Sequence, residues 1–194
     1  LLNEEEADRL VNIHWKNGKM TTDLLAQDID VIIEKVGLRE RATENTKFLI
    51  LPTNKAGPNE VVCGEKMSRF LTLYQVKSFS EAIELAIKIQ NYQGAGHSLG
   101  IHTKNEKRAH EIAMSAKTCR VIVNQAHCFA TGGFFNNGLP FSLSMGCGSW
   151  GGNSIDENLN WEHFTNKVRV VQTIEENKPS LEEIFGSYWG ETSQ

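Results

Sequence analysis

Apolar residues along the first forty positions recur at helical spacing. Glu4 to Lys16 opens with three acids and then places Leu10, Val11, Ile13 and Trp15 at intervals that suit one buried face. Acids in a first turn favour the positive end of the helix dipole, so the pattern predicts a helix that stops at Gly18. Thr22 reads as the N-cap of a second helix, in which Leu25, Ile29, Ile32 and Ile33 repeat until Gly37. Lys47 to Leu51 (KFLIL) is short, wholly apolar after its lysine and closed by Pro52, which predicts a buried strand.

From Leu71 the pattern alternates. Residues 71–76 predict a strand, and Ser80 opens a helix with Glu84 near capping-box spacing and Ala82, Ile83, Leu85, Ala86 and Ile89 on its buried side. A strand at 98–103, a helix at 105–117 and a strand at 120–124 (RVIVN) follow with short links. That order predicts an α/β fold, a three-layer arrangement of one mostly parallel sheet flanked by helices. Its strands would lie near 47–51, 71–76, 98–103 and 120–124. Residues 132–152 are rich in glycine and asparagine without a period, and a loop of that length is usually a binding element. Asn166 to Ile174, with Val168, Val170 and Gln172 alternating, predicts a strand apart from the sheet, and 180–188 a terminal helix.

Composition narrows the function. Hydrophobic residues make up 40% of 194, enough for one ordinary core. The net charge of −4, without a Lys/Arg cluster, argues against a nucleic-acid surface. No apolar run reaches the ~20 residues a bilayer span needs, so no membrane partner is expected. Cys63, Cys119, Cys128 and Cys147 have no CxxC pairing or regular spacing, which suits free thiols in a reducing cytoplasm. The opening, LLNEEEADRL, has neither a methionine nor a basic signal region and reads as the interior of a longer sequence.

Candidate chemistry concentrates in Met145 to Asn158, where Gly146, Gly148, Gly151 and Gly152 surround Cys147 and Trp150. Glycine loses the most backbone freedom on folding, so such density marks a place of close approach. Gly146-x-Gly148-x-x-Gly151 formally matches the dinucleotide fingerprint. Gly152, Asn153 and Ser154 then follow, which is turn composition and not a helix start, so a phosphate loop is not expected. The six histidines show no HxxxH or HExxH spacing, and no metal site is expected. Cys128 after His127 reads as a small, partly buried cysteine more than as an activated nucleophile. His97, where a glycine-rich loop meets a strand, is equally a cleft-facing imidazole or a histidine bonded to backbone. Glu65 by composition alone is a solvated turn residue.

GEKMSRF at 64–70, GAGHS at 94–98 and GCGSWGGNSIDEN at 146–158 resemble, in order and spacing, segments of the CoA-acylating aldehyde dehydrogenases. The resemblance runs along essentially the whole chain. The stretch from Arg120 to Ser154, with His127 and Asn136-Asn137, is most similar to the sulfoacetaldehyde branch of that family. The resemblance implies oxidation of a small aldehyde (sulfoacetaldehyde, or alternatively acetaldehyde or succinic semialdehyde) through a cysteine thioester, with NAD or NADP taking the hydride and coenzyme A the acyl group; the competing reading is a non-catalytic assembly module that retains the fold. It places the nucleophilic cysteine and the main nucleotide-binding domain upstream, so the isolated chain is expected to be inactive. It implies that Glu65 binds the nicotinamide ribose hydroxyls and that His97 faces the acyl/CoA side of a cleft. Met145 and the glycines after it would line the cofactor tunnel. Asn124, His127, Asn136 and Asn137 would hold the sulfonate tail, although Asn137-Gly138 is also a common turn pair. Residues 1–160 then form part of the catalytic domain, and 161–194 an oligomerisation strand and tail of a homo-oligomer. Arg69 departs from the proline common at its position in relatives.

Overall fold

The computed structural model describes residues 1–191, and the local chemistry of the sequence sets most element ends. Asn3 starts α1 (Glu4–His14) with a reciprocal cap. Its side chain accepts from the Glu6 N–H while the Glu6 carboxylate accepts from the Asn3 N–H, each at 2.9 Å. A hairpin of β1 (Trp15–Lys16) and β2 (Lys19–Met20) follows, which the helical reading of Trp15 missed. Asn17 and Gly18 both take positive φ, 54° and 74°, so the Asn-Gly pair is a hairpin turn and not merely a helix stop. The second helix is also shorter than expected. Residues 21–27 are irregular, with Ala26 at φ 52°, and α2 (Ile29–Val36) begins after Asp28. The apolar repeat counted Leu25 as helical, whereas only Ile29, Ile32, Ile33 and Val36 form its buried face.

β3 (Leu49–Pro52) pairs in parallel with β4 (Phe70–Leu73). α3 (Phe79–Tyr92) is capped by Ser78, not Ser80. The Ser78 hydroxyl accepts from the Glu81 N–H at 3.1 Å, and the Glu81 carboxylate accepts from the Lys77 N–H at 2.7 Å. β5 (Gly96–Ile101), α4 (Glu106–Ser115) and β6 (Thr118–Val123) form the next unit, with β5 and β6 parallel and in register from Gly96↔Thr118 to Ile101↔Val123. α5 (His127–Ala130) is a single turn directly after β6.

The α/β class and parallel pairing are as expected, but the four strands do not form one sheet. β3–β4 and β5–β6 are separate two-stranded parallel sheets. Apolar runs announce that a segment is a strand and leave its neighbours to be chosen by tertiary packing. Core side chains gather in two clusters. The larger joins α1, α2, β3 and β4 through Leu10, Leu24, Ile32, Val36 and Phe70, and the smaller is Ile83, Ile112 and Ala116 between α3 and α4.

The chain divides into two compact units, Leu1–Asn160 and Trp161–Gln194. The second unit contains α6 (Leu181–Glu191). The strand expected at 166–174 is not formed, because those residues join no ladder among the described residues. Alternating valines supply the side-chain pattern of a strand, but a strand also needs a hydrogen-bonded partner.

Candidate active site

The two glycine motifs meet each other. Gly96 of GAGHS has φ 80° and lies where the Cys147 carbonyl crosses, so any side chain there would collide with that backbone. This crossing fixes the loop 145–158 over the start of β5. The loop is itself closed as a hairpin: Met145 bridges Asn158, Gly146 N–H donates to Glu157 at 3.0 Å, and Gly148 N–H donates to Ile155 at 2.9 Å. Its glycines serve chain-on-chain contact within the protein. Met145 is half-buried in that bridge and is not among the residues lining the cavity beside His97.

Beneath the loop sits Arg120, only 6% exposed. Its Nε donates to Asn158 Oδ1 at 3.0 Å, one Nη to the His97 carbonyl at 3.2 Å and the other to the Gly146 carbonyl at 2.7 Å. Asn158 is fully buried and passes the network on, its amide donating to the carbonyls of Thr131 and Pro140 at 2.9 and 2.8 Å. A buried guanidinium needs its donors satisfied, and here backbone carbonyls and one amide do so. The sequence reading missed Arg120 and Asn158. Thr118, Arg120 and Ile122 share the inward face of β6, so a charge at an inward position was the available signal.

That network positions a cavity of about 370 Å³ lined by Glu65, Gln93, Gly94, His97, Ser98, His127 and Thr131. Glu65 reaches it because its N–H donates to Gln93 Oε1 at 2.9 Å, which ties the 64–66 turn to the end of α3. The neighbouring Lys66 donates to the Gly64 carbonyl at 2.7 Å, and burial lowers its ammonium pKa to about 8. His97 stands at the head of β5, with Nδ1 3.0 Å from Ser98 Oγ. The same hydroxyl lies 2.9 Å from Nε2 of His127, which enters from the first turn after β6. Burial holds the His127 pKa below its usual range, and the charge of His97 adds to that effect. The structure thus brings together Glu65, His97 and His127, which lie far apart in sequence.

It does not bring the four tail-binding candidates together. Asn124 and Asn136 line a different cavity of about 360 Å³ with Gln125, Phe129 and Phe134. Asn124 spends both ends of its amide on Thr103, accepting from its N–H and donating to its carbonyl at 2.8 Å. Asn137 is a turn residue: its oxygen accepts from the Phe134 and Leu139 N–H groups, and its NH₂ donates to Gln125 and the Ala130 carbonyl. Of the four, only His127 borders the cavity that holds His97.

An acid and two imidazoles at one cleft, under a glycine hairpin, suit hydroxyl binding and proton transfer. The chain matches no family model. Along nearly its whole length it is similar to one portion of several acylating aldehyde dehydrogenases. Among individual relatives, it is 42% identical over 190 residues to a sulfoacetaldehyde dehydrogenase (acylating) of Cupriavidus necator, covering 97% of this chain and 38% of the relative. It is 37% identical over 184 residues to a succinate-semialdehyde dehydrogenase (acetylating) of Clostridium kluyveri, covering 94% of this chain and 40% of the relative. The solved structure of an acetylating aldehyde dehydrogenase from Geobacillus thermoglucosidasius superposes with a TM-score of 0.80 at 30% identity, over 92% of this chain and 39% of that one. The chain therefore spans about two fifths of the length of each of these three proteins.

Proposed function

We propose that this chain is part of an NAD(P)-dependent, CoA-acylating aldehyde dehydrogenase that converts a short anionic aldehyde to its acyl-CoA. The observation that carries the reading is the single cavity shared by Glu65, His97 and His127. Its donors and acceptors fit the groups the reaction needs. The Glu65 carboxylate offers two acceptor oxygens to a vicinal diol such as a ribose, and an imidazole accepts a proton near neutral pH. When bound, the nicotinamide accepts hydride from the carbon being oxidised. His97 would accept the thiol proton as coenzyme A takes up the acyl group, and Glu65 would orient the ribose. The nucleophilic cysteine and the main nucleotide-binding domain would come from the remainder of the protein.

Sulfoacetaldehyde is the proposed substrate and succinic semialdehyde the second reading, since relatives named for each match the chain at 42% and 37%. Both carry an anionic tail. A homo-oligomer assembled partly through residues 161–194, in the cytoplasm, belongs to the same proposal. No helix among the described residues is long and apolar enough to cross a membrane.

The test uses the complete protein that contains this sequence. Purified enzyme given sulfoacetaldehyde and NAD+ or NADP+ should form the reduced nucleotide only when coenzyme A is added. His97→Ala should lower that CoA-dependent rate about 10²-fold or more, the usual loss with a general acid–base group. Nucleotide reduction independent of coenzyme A would overturn the acylating assignment. A higher kcat/KM for succinic semialdehyde would move the substrate to the second reading.

A further inference from the structure

Two imidazoles joined through one hydroxyl are more than two separate side chains. Ser98 Oγ lies 3.0 Å from His97 Nδ1 and 2.9 Å from His127 Nε2, and it has one proton to give and lone pairs to receive. When both rings are neutral, the hydroxyl donates to one ring and accepts an N–H from the other. The tautomers of the two histidines are then no longer independent. His97 is exposed toward the cavity, while His127 is half-buried with Nδ1 packed at Gly100, where even a Cβ would come within 2.7 Å of it. Glycine at position 100 is what leaves room for the ring. The charged groups around the pair are Glu65 on the cavity wall and the Arg120 guanidinium at the His97 carbonyl.

We infer that Ser98 is a positioning residue that couples His97 and His127 into one proton-transfer unit. In the resting arrangement His97 carries its proton on Nδ1 and donates it to Ser98 Oγ, and the Ser98 hydroxyl donates to Nε2 of His127. This leaves His97 Nε2 as a lone pair for the cavity. A thiol proton accepted at Nε2 leaves a thiolate and an imidazolium. The Nδ1 proton then passes to Ser98 Oγ as the hydroxyl's own proton passes to His127 Nε2. His97 ends neutral, His127 cationic and the serine unchanged, so protons and charge balance. Only the identity of the thiol rests on the acylating reading above; the coupling of the two rings does not.

The coupling has a signature in the 194-residue chain itself. The first proton taken up by the pair is stabilised by the chain of hydrogen bonds. A second must place two N–H groups and two like charges against one oxygen, so the pair should titrate in two separated steps. Nitrogen-15 NMR of histidine-labelled protein across pH 4.5–8.5 reads both the midpoints and the tautomers. The expected result at neutral pH is His97 protonated on Nδ1, with two separated midpoints for the pair. Ser98→Ala should narrow the separation of the two midpoints and abolish the Nδ1 preference of His97, and Ser98→Thr should restore both. The wild-type tautomers need no variant, so a poorly folding alanine protein does not remove the test. Nε2-protonated His97 in the wild type, or midpoints unmoved by Ser98→Ala, would overturn the coupling while leaving the dehydrogenase assignment standing. Loss of the CoA-dependent reaction with the coupling intact would do the reverse.

Discussion

Between Leu2 and Phe70, thirteen buried apolar residues form one cluster, and among them Leu10, Leu24, Ile32, Val36 and Phe70 are essentially inaccessible to solvent. From Phe79 to Asn160 the corresponding cluster is Ile83, Ile112 and Ala116, and three polar side chains near the cavity, Arg120, Thr131 and Asn158, are buried as well. The first region is held by apolar burial, which is non-directional and tolerates small shifts. The second is held by directed hydrogen bonds that lock the carbonyls of His97, Gly146, Thr131 and Pro140 in place. A site that must keep imidazoles at fixed separations gains from directed bonds, and it becomes fragile when one donor is lost. The regions meet at the 64–66 turn, where Gln93 receives the Glu65 N–H.

This contrast is open to direct attack. Phe70→Ala removes a fully buried ring that packs edge-on against His14 and Trp15, at centroid distances of 5.0 and 5.9 Å. A loss of about 3–5 kcal/mol is expected in chemical denaturation, felt across the whole of residues 1–160. Arg120→Met should cost about 3 kcal/mol, since it leaves three acceptors without their donor. Its damage should be local: hydrogen–deuterium exchange should rise at 145–158 and at 96–98 while α1 and α2 remain protected. Equal deprotection of α1 would show that the two regions are not separately held.

The smallest effect concerns the one histidine inside the apolar region. His14 is wholly buried, its Nε2 donating to the Lys66 carbonyl at 2.8 Å while Nδ1 has no partner. Burial lowers its pKa from 6.5, and the Lys66 charge adds to the lowering, outweighing the carbonyl bond that favours the proton. The unfolded chain therefore binds more protons than the folded one below about pH 6.5, and stability should fall as pH drops through that value toward the folded pKa. His14→Phe should flatten this slope in melting temperatures measured from pH 7 to 5. A slope unchanged by the substitution would place the titrating group elsewhere.

Much of the architecture is legible in the sequence because helices and strands announce themselves by period. α1, α3, α4 and all four longer strands fall close to their apolar patterns with errors at their ends, while the strand expected at 166–174 does not form among the described residues. Ser78 caps α3 at the true three-residue spacing to Glu81, whereas Ser80 stands four residues before Glu84; two serines and two glutamates offered overlapping boxes. The Asn17-Gly18 pair is a hairpin signal that the helical repeat before it masks. The candidate site was partly legible too. Glu65, His97 and His127 were marked by motif, and they share one cavity. Arg120 and Asn158 were not, since a buried polar residue looks in sequence like any surface one.

What the sequence determined by itself is therefore local: the capped helices, the parallel strand class and the glycine motifs, all set by interactions within a few residues. Tertiary structure alone decided which strands pair, since β4 and β5 follow one another in the chain and share no ladder. It also decided that GAGHS lies under the 145–158 hairpin, and that one serine hydroxyl reaches two imidazoles twenty-nine residues of chain or less away. Those outcomes depend on contacts between distant segments, whose directions no local pattern encodes. The asparagines show the same limit from the other side, for the fold turned Asn137 into a turn brace and gave both ends of the Asn124 amide to Thr103.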